Sequence, residues 1–271
     1  MAELPIFSEL SSACRHRMMA AESCLLDMDF PSLDLWERIA RIRTRPSSMH
    51  GIDFLSDFIR EKIFSLEHEL CPALWAKSGV VKYATSRTMG EMGAYSEYAH
   101  LVKASLRDTS PINFISTLEL IASHLRGVRV STRRSAVYVF SGCDDYWEFV
   151  DFSEVIPALL GLHSFLRRND GRSFFCAVVA YVTIAFIHPF LDGNGRTARV
   201  IFNALLDAKG YLPIKELAAI SRDGLIIKMR EAWLFGVWEP VFDFFVSSVE
   251  ISSSMVAISE FPDGHDMHWD A

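Results

Sequence analysis

Residues 188–199 read His188-Pro189-Phe190-Leu191-Asp192-Gly193-Asn194-Gly195-Arg196-Thr197-Ala198-Arg199, directly after a strongly apolar stretch at 174–187. Proline disfavours helical geometry at the residue before it, so a helix starting at Ser173 is predicted to run to about His188. A further helix is predicted over 196–208, closed by Gly210. Between the two, Gly193 and Gly195 can take positive φ and let a ligand approach the backbone. Unpaired N–H groups at the start of the second helix favour negative charge, with phosphate as the natural guest. Arg196 and Arg199 lie one turn apart on one face, so both guanidiniums can reach the distal phosphates of a polyphosphate. Asp192, beside those phosphates, can hold an Mg²⁺ that bridges them. His188 has an unperturbed pKa of ~6.5, is largely neutral at pH 7, and can act as a base. A helix C-terminus would favour its cationic form, an effect that the nearby arginines and Mg²⁺ oppose.

Working outward, helical spacing dominates. Apolar residues recur at three- and four-residue intervals over 33–43 and 52–70, with Arg45-Pro46-Ser47-Ser48 as the break between them. Residues 71–93 mix Pro72, Gly79, Gly90 and Gly93 with polar residues and read as a loop region with at most short helices. Helices are predicted over 112–125 and 152–168, the latter stopping near Asn169-Asp170-Gly171, and a last pair over 223–235 and 240–258. Trp233 and Trp238 fall among helical apolar residues and are assigned to the core. One segment differs: Val128, Val130, Val137, Val139 and Phe140 around Ser131-Thr132-Arg133-Arg134 suggest a short β-hairpin. The fold class expected is all-α with that hairpin as its main β element. The chain divides into an N-terminal helical extension (1–109), a core (110–250), and a helix end with a mobile tail (251–271). His265 and His268 in that tail lack neighbouring ligands and do not make a metal site.

Composition narrows the classes. A chain of 271 residues, 50% hydrophobic and 23% charged, can bury a sizeable core and lies outside the disordered range. A formal net charge of -7 disfavours general attraction to nucleic acid or anionic membrane. The five cysteines, Cys14, Cys24, Cys71, Cys143 and Cys176, are scattered without CxxC spacing, which suits reduced thiols and suggests no structural zinc. The apolar stretch at 174–187 is shorter than the ~20 residues that span a bilayer. The start of the chain lacks the pattern of a Sec-type signal peptide. A cytoplasmic protein, or one delivered into a host cell, is the expectation.

The 188–199 segment resembles the signature of Fic domains, His-x-Phe-x-(Asp/Glu)-Gly-Asn-Gly-Arg-x-x-Arg, with every specified position matched. The resemblance covers roughly residues 110–250. It implies a helical core and AMP transfer from ATP to a Ser, Thr or Tyr hydroxyl of a target protein. It also implies roles: His188 as general base, Phe190 as a core anchor for the loop and Asp192 as the Mg²⁺ ligand. Gly193, Asn194 and Gly195 would form an anion hole, and Arg196 and Arg199 would bind the departing phosphates. In that family a hairpin called the flap aligns the target segment by strand addition. Residues 129–146 are similar to it in position and pattern.

Two departures qualify the resemblance. Many members carry an inhibitory helix, Ser/Thr-x-x-x-Glu-Gly/Asn, whose glutamate pairs with the second motif arginine. Here Ser65 to Glu69 has the spacing but is followed by Leu70, while in Ser86-Arg87-Thr88-Met89-Gly90-Glu91 the glutamate comes one residue late. Glu91 is therefore expected at the surface and Arg199 without an internal carboxylate. Control by a separate inhibitor protein is left open. Beyond Ser221, where relatives place aromatic residues around the base, this chain has Gly224-Leu225-Ile226. Transfer of UMP, phosphocholine or phosphate, and a silent phosphate-binding module, remain as alternatives.

Overall fold

In a computed structural model the chain is described over residues 3–28, 80–140, 146–206, 208–212 and 222–259. The helices expected over 33–43 and 52–70, the Ser65 to Glu69 segment and the tail from 260 lie outside the described residues. Those described form a short 3-10 turn (Phe7–Glu9) and eight α-helices: α1 (Ser12–Asp27), α2 (Val80–Arg107), α3 (Pro111–Arg126), α4 (Phe152–Arg168), α5 (Ser173–Ile187), α6 (Asn194–Leu205), α7 (Arg222–Phe235) and α8 (Glu239–Ser259). Between α3 and α4 lies one antiparallel pair, β1 (Tyr138–Phe140) and β2 (Tyr146–Glu148), in register Val139 to Trp147. The all-α class holds. None of the described helices is long and apolar enough to cross a membrane.

α5 is the centre. All its residues except Ser173 and Ala185 are buried, as expected of a helix apolar on every side. It packs most extensively on α6, and α1, α4, α7 and α8 also touch it. Phe202 of α6 meets Phe174 and Tyr181 of α5 at ring distances of 6.5 and 6.3 Å, and Phe245 of α8 at 5.1 Å. Phe174, Phe202 and Phe245 are completely buried, each contributing about 1.5–3 kcal/mol relative to an exposed ring. This packing sets the angle at which α5 ends and α6 begins, and so positions the loop between them.

The termini of these helices follow from local chemistry. Pro111 opens α3 and Gly127, at φ 67°, closes it; the Asp151 side chain caps α4 by accepting from Ser153 N–H. The N-terminus of α5 has no cap of its own. Glu22 of α1 serves instead, accepting from the Ser173 hydroxyl and, at 3.3 Å, from Phe174 N–H. α1 rests on α8, tied by Arg17 to Asp243 at 2.6 Å. The thiols of Cys14, Cys24 and Cys176 are free, and burial pushes Cys14 up to about 11 and Cys176 to about 12.

Several expectations are corrected. Residues 80–93, read as loop, belong to the 28-residue α2. Gly90 and Gly93 each cost about 1 kcal/mol in a helix, but packing of α2 on α6 and α3 outweighs that. α1 and the 94–107 part of α2 were not expected at all. The Cys14, Met18, Ala21, Leu25 stripe buried by α1 is legible only once its partner α8 is known. The β pair lies later than the predicted hairpin: Val130 N–H is taken by the Ser123 hydroxyl, Thr132 N–H by Glu119 and Arg133 N–H by the Pro189 carbonyl, so these donors are not available to a strand partner.

Candidate active site

His188 is the C-cap of α5, at φ 50° and ψ 59°, and is the one non-glycine residue with positive φ among the described residues. Its half-buried ring has Nδ1 3.2 Å from the Ala185 carbonyl oxygen. A carbonyl only accepts, so Nδ1 carries the proton and the Nε2 lone pair is free in the neutral ring. Burial holds the pKa below its ordinary value; the Ala185 carbonyl opposes this and the Arg133 charge adds to it. The upward push expected from the helix C-terminus is overcome by loss of solvent. Phe149 stacks on the imidazole, ring centroids 3.7 Å apart and 16° from parallel.

The loop after His188 is stapled by one side chain. Asn194, buried, accepts from Phe190 N–H at 2.9 Å and donates back to the Phe190 carbonyl at 2.8 Å. Phe190 itself is fully buried. Asn194 thus contributes only its backbone N–H to any anion site. α6 begins at Asn194, two residues before the predicted start, because Gly193 is the N-cap at φ 90° and Thr197 N–H bonds its carbonyl at 2.9 Å. A side chain at 193 would be strained by that φ and would sit 3.5 Å from Arg126 Cδ. The first-turn N–H groups of α6 have no intrahelical acceptor and face the loop's mouth with a partial positive charge.

The two arginines differ. Arg196 donates to the Leu125 carbonyl at 2.6 Å and remains partly exposed. Arg199 is engaged: Glu91 of α2, only 1% exposed, takes its Nε at 2.9 Å and Nη2 at 2.6 Å. Burial pulls the Arg199 pKa down, but the hydrogen bonds and charge of Glu91 reverse this and leave it raised. Glu91 also accepts from the Tyr211 hydroxyl at 2.8 Å. Asn203 of α6 fixes Tyr211 by accepting from Leu212 N–H at 2.6 Å and donating to the Leu212 and Arg199 carbonyls at 3.0 and 2.9 Å. The expectations of a surface Glu91 and an unpartnered Arg199 are overturned. A carboxylate one residue out of the familiar spacing reaches its arginine because α2 stays helical through Gly90.

Asp192 is 62% exposed; its Oδ1 accepts from Gly193 N–H at 2.6 Å and its Oδ2 pairs with Arg126 at the end of α3. No cluster of three or more metal-ligating side chains exists among the described residues, so a cation here would draw most of its ligands from a bound donor. Mg²⁺ in nucleotide sites takes one or two carboxylates plus phosphates and water. The Asp192 carboxylate fits that role if Arg126 turns towards the phosphates. Arg126, Arg133, Phe149, Asn203 and Tyr211 carry no local sequence signal, and the sequence reading missed them as parts of the site.

A helix end bearing a histidine, a glycine loop and a helix N-terminus with two arginines form an arrangement that can hold an anion beside a base. The family model of the Fic/DOC family matches residues 146–206, spanning β2 to the end of α6. Protein adenylyltransferase Fic of Drosophila grimshawi is 50% identical over 48 residues, covering 18% of this chain and 10% of that protein. The Nematostella vectensis protein of the same name is 47% identical over 38 residues, 14% of this chain and 9% of that protein. The chain therefore spans about a tenth of the length of these relatives. A Fic family protein from Desulfovibrio desulfuricans superposes with a TM-score of 0.49 at 15% identity, covering 86% of this chain and 76% of that one. The stretch from β2 to the end of α6 thus matches the Fic/DOC family.

Proposed function

We propose that this chain is a protein nucleotidyl transferase that moves AMP from ATP to a Ser, Thr or Tyr hydroxyl of a target protein. The observation that carries the reading is the His188 imidazole, neutral and with Nε2 free, at the edge of the glycine loop and the α6 N-terminus. His188 removes the hydroxyl proton, the oxygen attacks the α-phosphorus, and the bond to the β-phosphate breaks to release pyrophosphate. The N–H groups of Gly195 and Arg196 and the Arg196 guanidinium hold the donor's phosphates. Mg²⁺ at Asp192 would neutralise charge on them. The β1–β2 pair, which overlaps the end of the segment read as a flap and runs two residues past it, would present the target segment by strand addition. Glu91 on Arg199 describes a restrained state of this enzyme, one in which the second arginine is withheld from the donor's terminal phosphate.

The test is to incubate the purified chain with a lysate and ATP labelled at the α- or the γ-phosphate, with UTP and CDP-choline in parallel. Protein label from α-labelled ATP alone is expected. Retention of the γ-label, or labelling by UTP or CDP-choline in preference to ATP, overturns the assignment.

Two further results are expected. Asp192→Ala should remove the Mg²⁺ dependence of ATP binding, weakening affinity in Mg²⁺ by about tenfold, ~1.4 kcal/mol. Equal titration curves for both proteins in Mg²⁺ would remove Asp192 from the metal role. Tyr211→Phe deletes one of the hydrogen bonds to the Glu91 carboxylate, worth about 1 kcal/mol, and should raise self-labelling by up to about fivefold. An unchanged or lower rate would mean that Tyr211 does not restrain Glu91.

A further inference from the structure

Arg133 is almost completely buried, 5% exposed, in a segment that belongs to no helix or strand. Its side chain spends itself on main-chain carbonyls. Nε donates to His188 O at 2.7 Å, Nη2 to Ile187 O at 3.2 Å and to Val150 O, and Nη1 to Ser135 O at 2.9 Å. Its own backbone N–H donates to Pro189 O at 2.7 Å. One residue therefore holds three consecutive carbonyls, 187 to 189, where α5 ends, and two more that flank the β1–β2 pair. Those at the end of α5 belong to the carbonyls a helix leaves without partners, and a cation is the favoured group there.

These bonds fall where the backbone needs support. His188 adopts the left-handed conformation, which disfavours a residue with a Cβ and persists only when its surroundings over-determine it. Phe149, whose N–H bonds Val137 O at 3.2 Å as a continuation of the β pair, closes one face of the imidazole at 3.7 Å. The backbone of His188 is thus fixed from the Arg133 side and its ring from the Phe149 side. Both come from the stretch that frames β1 and β2.

We infer that Arg133 and Phe149 are positioning residues: together they set the imidazole of His188 for proton removal and lock it at a constant distance from the β pair where the target segment docks. This rests on the reading of His188 as the base. Arg133 touches no reacting atom; it acts through the carbonyls of Ile187, His188 and Pro189. Its requirement is geometric, since a lysine keeps the charge but cannot reach carbonyls on both sides at once.

The test uses the full chain and two readouts. Long-range ¹H–¹⁵N spectra, with the His188 signal assigned through His188→Ala, report the ring tautomer with no need for turnover. Steady-state transfer separates kcat from the KM for ATP. Arg133→Met and Arg133→Lys are expected to lower kcat by about a hundredfold, the scale of a 1 Å misplacement, with KM for ATP within about twofold. The His188 signal should change from a single Nδ1–H tautomer to an exchange-averaged one. Phe149→Leu removes the stack without touching a buried charge, so it tests the same idea should Arg133→Met fail to fold; it should lower kcat in the same selective way. A wild-type ring signal and kcat in Phe149→Leu and Arg133→Lys overturn the inference, as does an equal loss of kcat and ATP affinity. If the wild-type chain transfers nothing while the ring signals shift as described, the transferase reading has failed and the positioning has not.

Discussion

Replacing His188 by Ala is expected to abolish transfer and to leave ATP binding nearly unchanged. In the proposed reaction the base acts on the incoming hydroxyl, while the donor is held by the α6 N-terminus and Arg196, which the substitution does not touch. General-base removal costs about 10²–10⁴ in rate, so residual activity should fall below a few per cent. Alanine is poorly suited to the left-handed backbone at 188, so His188→Asn is the better-matched companion, since asparagine tolerates that region. Both should be inactive with similar ATP affinity, measured by calorimetry and by α-label transfer. A variant that keeps more than a few per cent of activity would remove His188 from the role. The pH profile gives a second reading. Protonation disables the base, and burial holds the pKa below the ordinary 6.5, so the rate should be on its plateau at pH 7 and fall only at more acid pH. A limb centred above 6.5 would contradict a buried, neutral His188.

Replacing Glu91 is expected to raise activity. In the structure its carboxylate holds Arg199 by two hydrogen bonds, and in the proposed reaction that pairing withholds the guanidinium from donor phosphate. Its removal should increase self-labelling by tenfold or more, ~1.4 kcal/mol of released restraint. The same change leaves a buried guanidinium without its counter-charge, and breaking such a pair costs about 3–5 kcal/mol. The variant should therefore melt earlier than the parent when empty and recover more of that loss when ATP is added, because phosphate replaces the carboxylate. Glu91→Gly and Glu91→Ala should behave alike. Activation by glycine alone would mean that loosening α2, already bearing Gly90 and Gly93, was responsible rather than freeing Arg199. No activation in either would show that the pair is structural.

The difference between Glu91 and the motif residues shows where local pattern is sufficient. Gly193 requires a left-handed backbone and the apolar stretch at 174–187 requires burial, and such requirements are written in neighbouring residues; Gly195, expected to share the positive φ, instead lies within α6. Glu91 has no such mark. Its role depends on α2 remaining helical across two glycines and lying against α6, which is decided by packing more than a hundred residues away in sequence. Tyr211 is similar: it reaches Glu91 only because Asn203 holds Leu212 against α6.

By itself the sequence determined the helical class, the extents of α3, α4, α5, α7 and α8 to within a few residues, and the order of the site from His188 to Arg199. Periodicity, proline and glycine act over a few residues, and those signals survive without a fold. Only the tertiary structure decided that Arg199 is paired with Glu91, that Arg126 lies against Asp192, and that Arg133 and Phe149 hold the His188 backbone and ring. Each of these joins segments tens to over a hundred residues apart, and buried polar groups choose their partners by which carbonyl or carboxylate packing brings within about 3 Å.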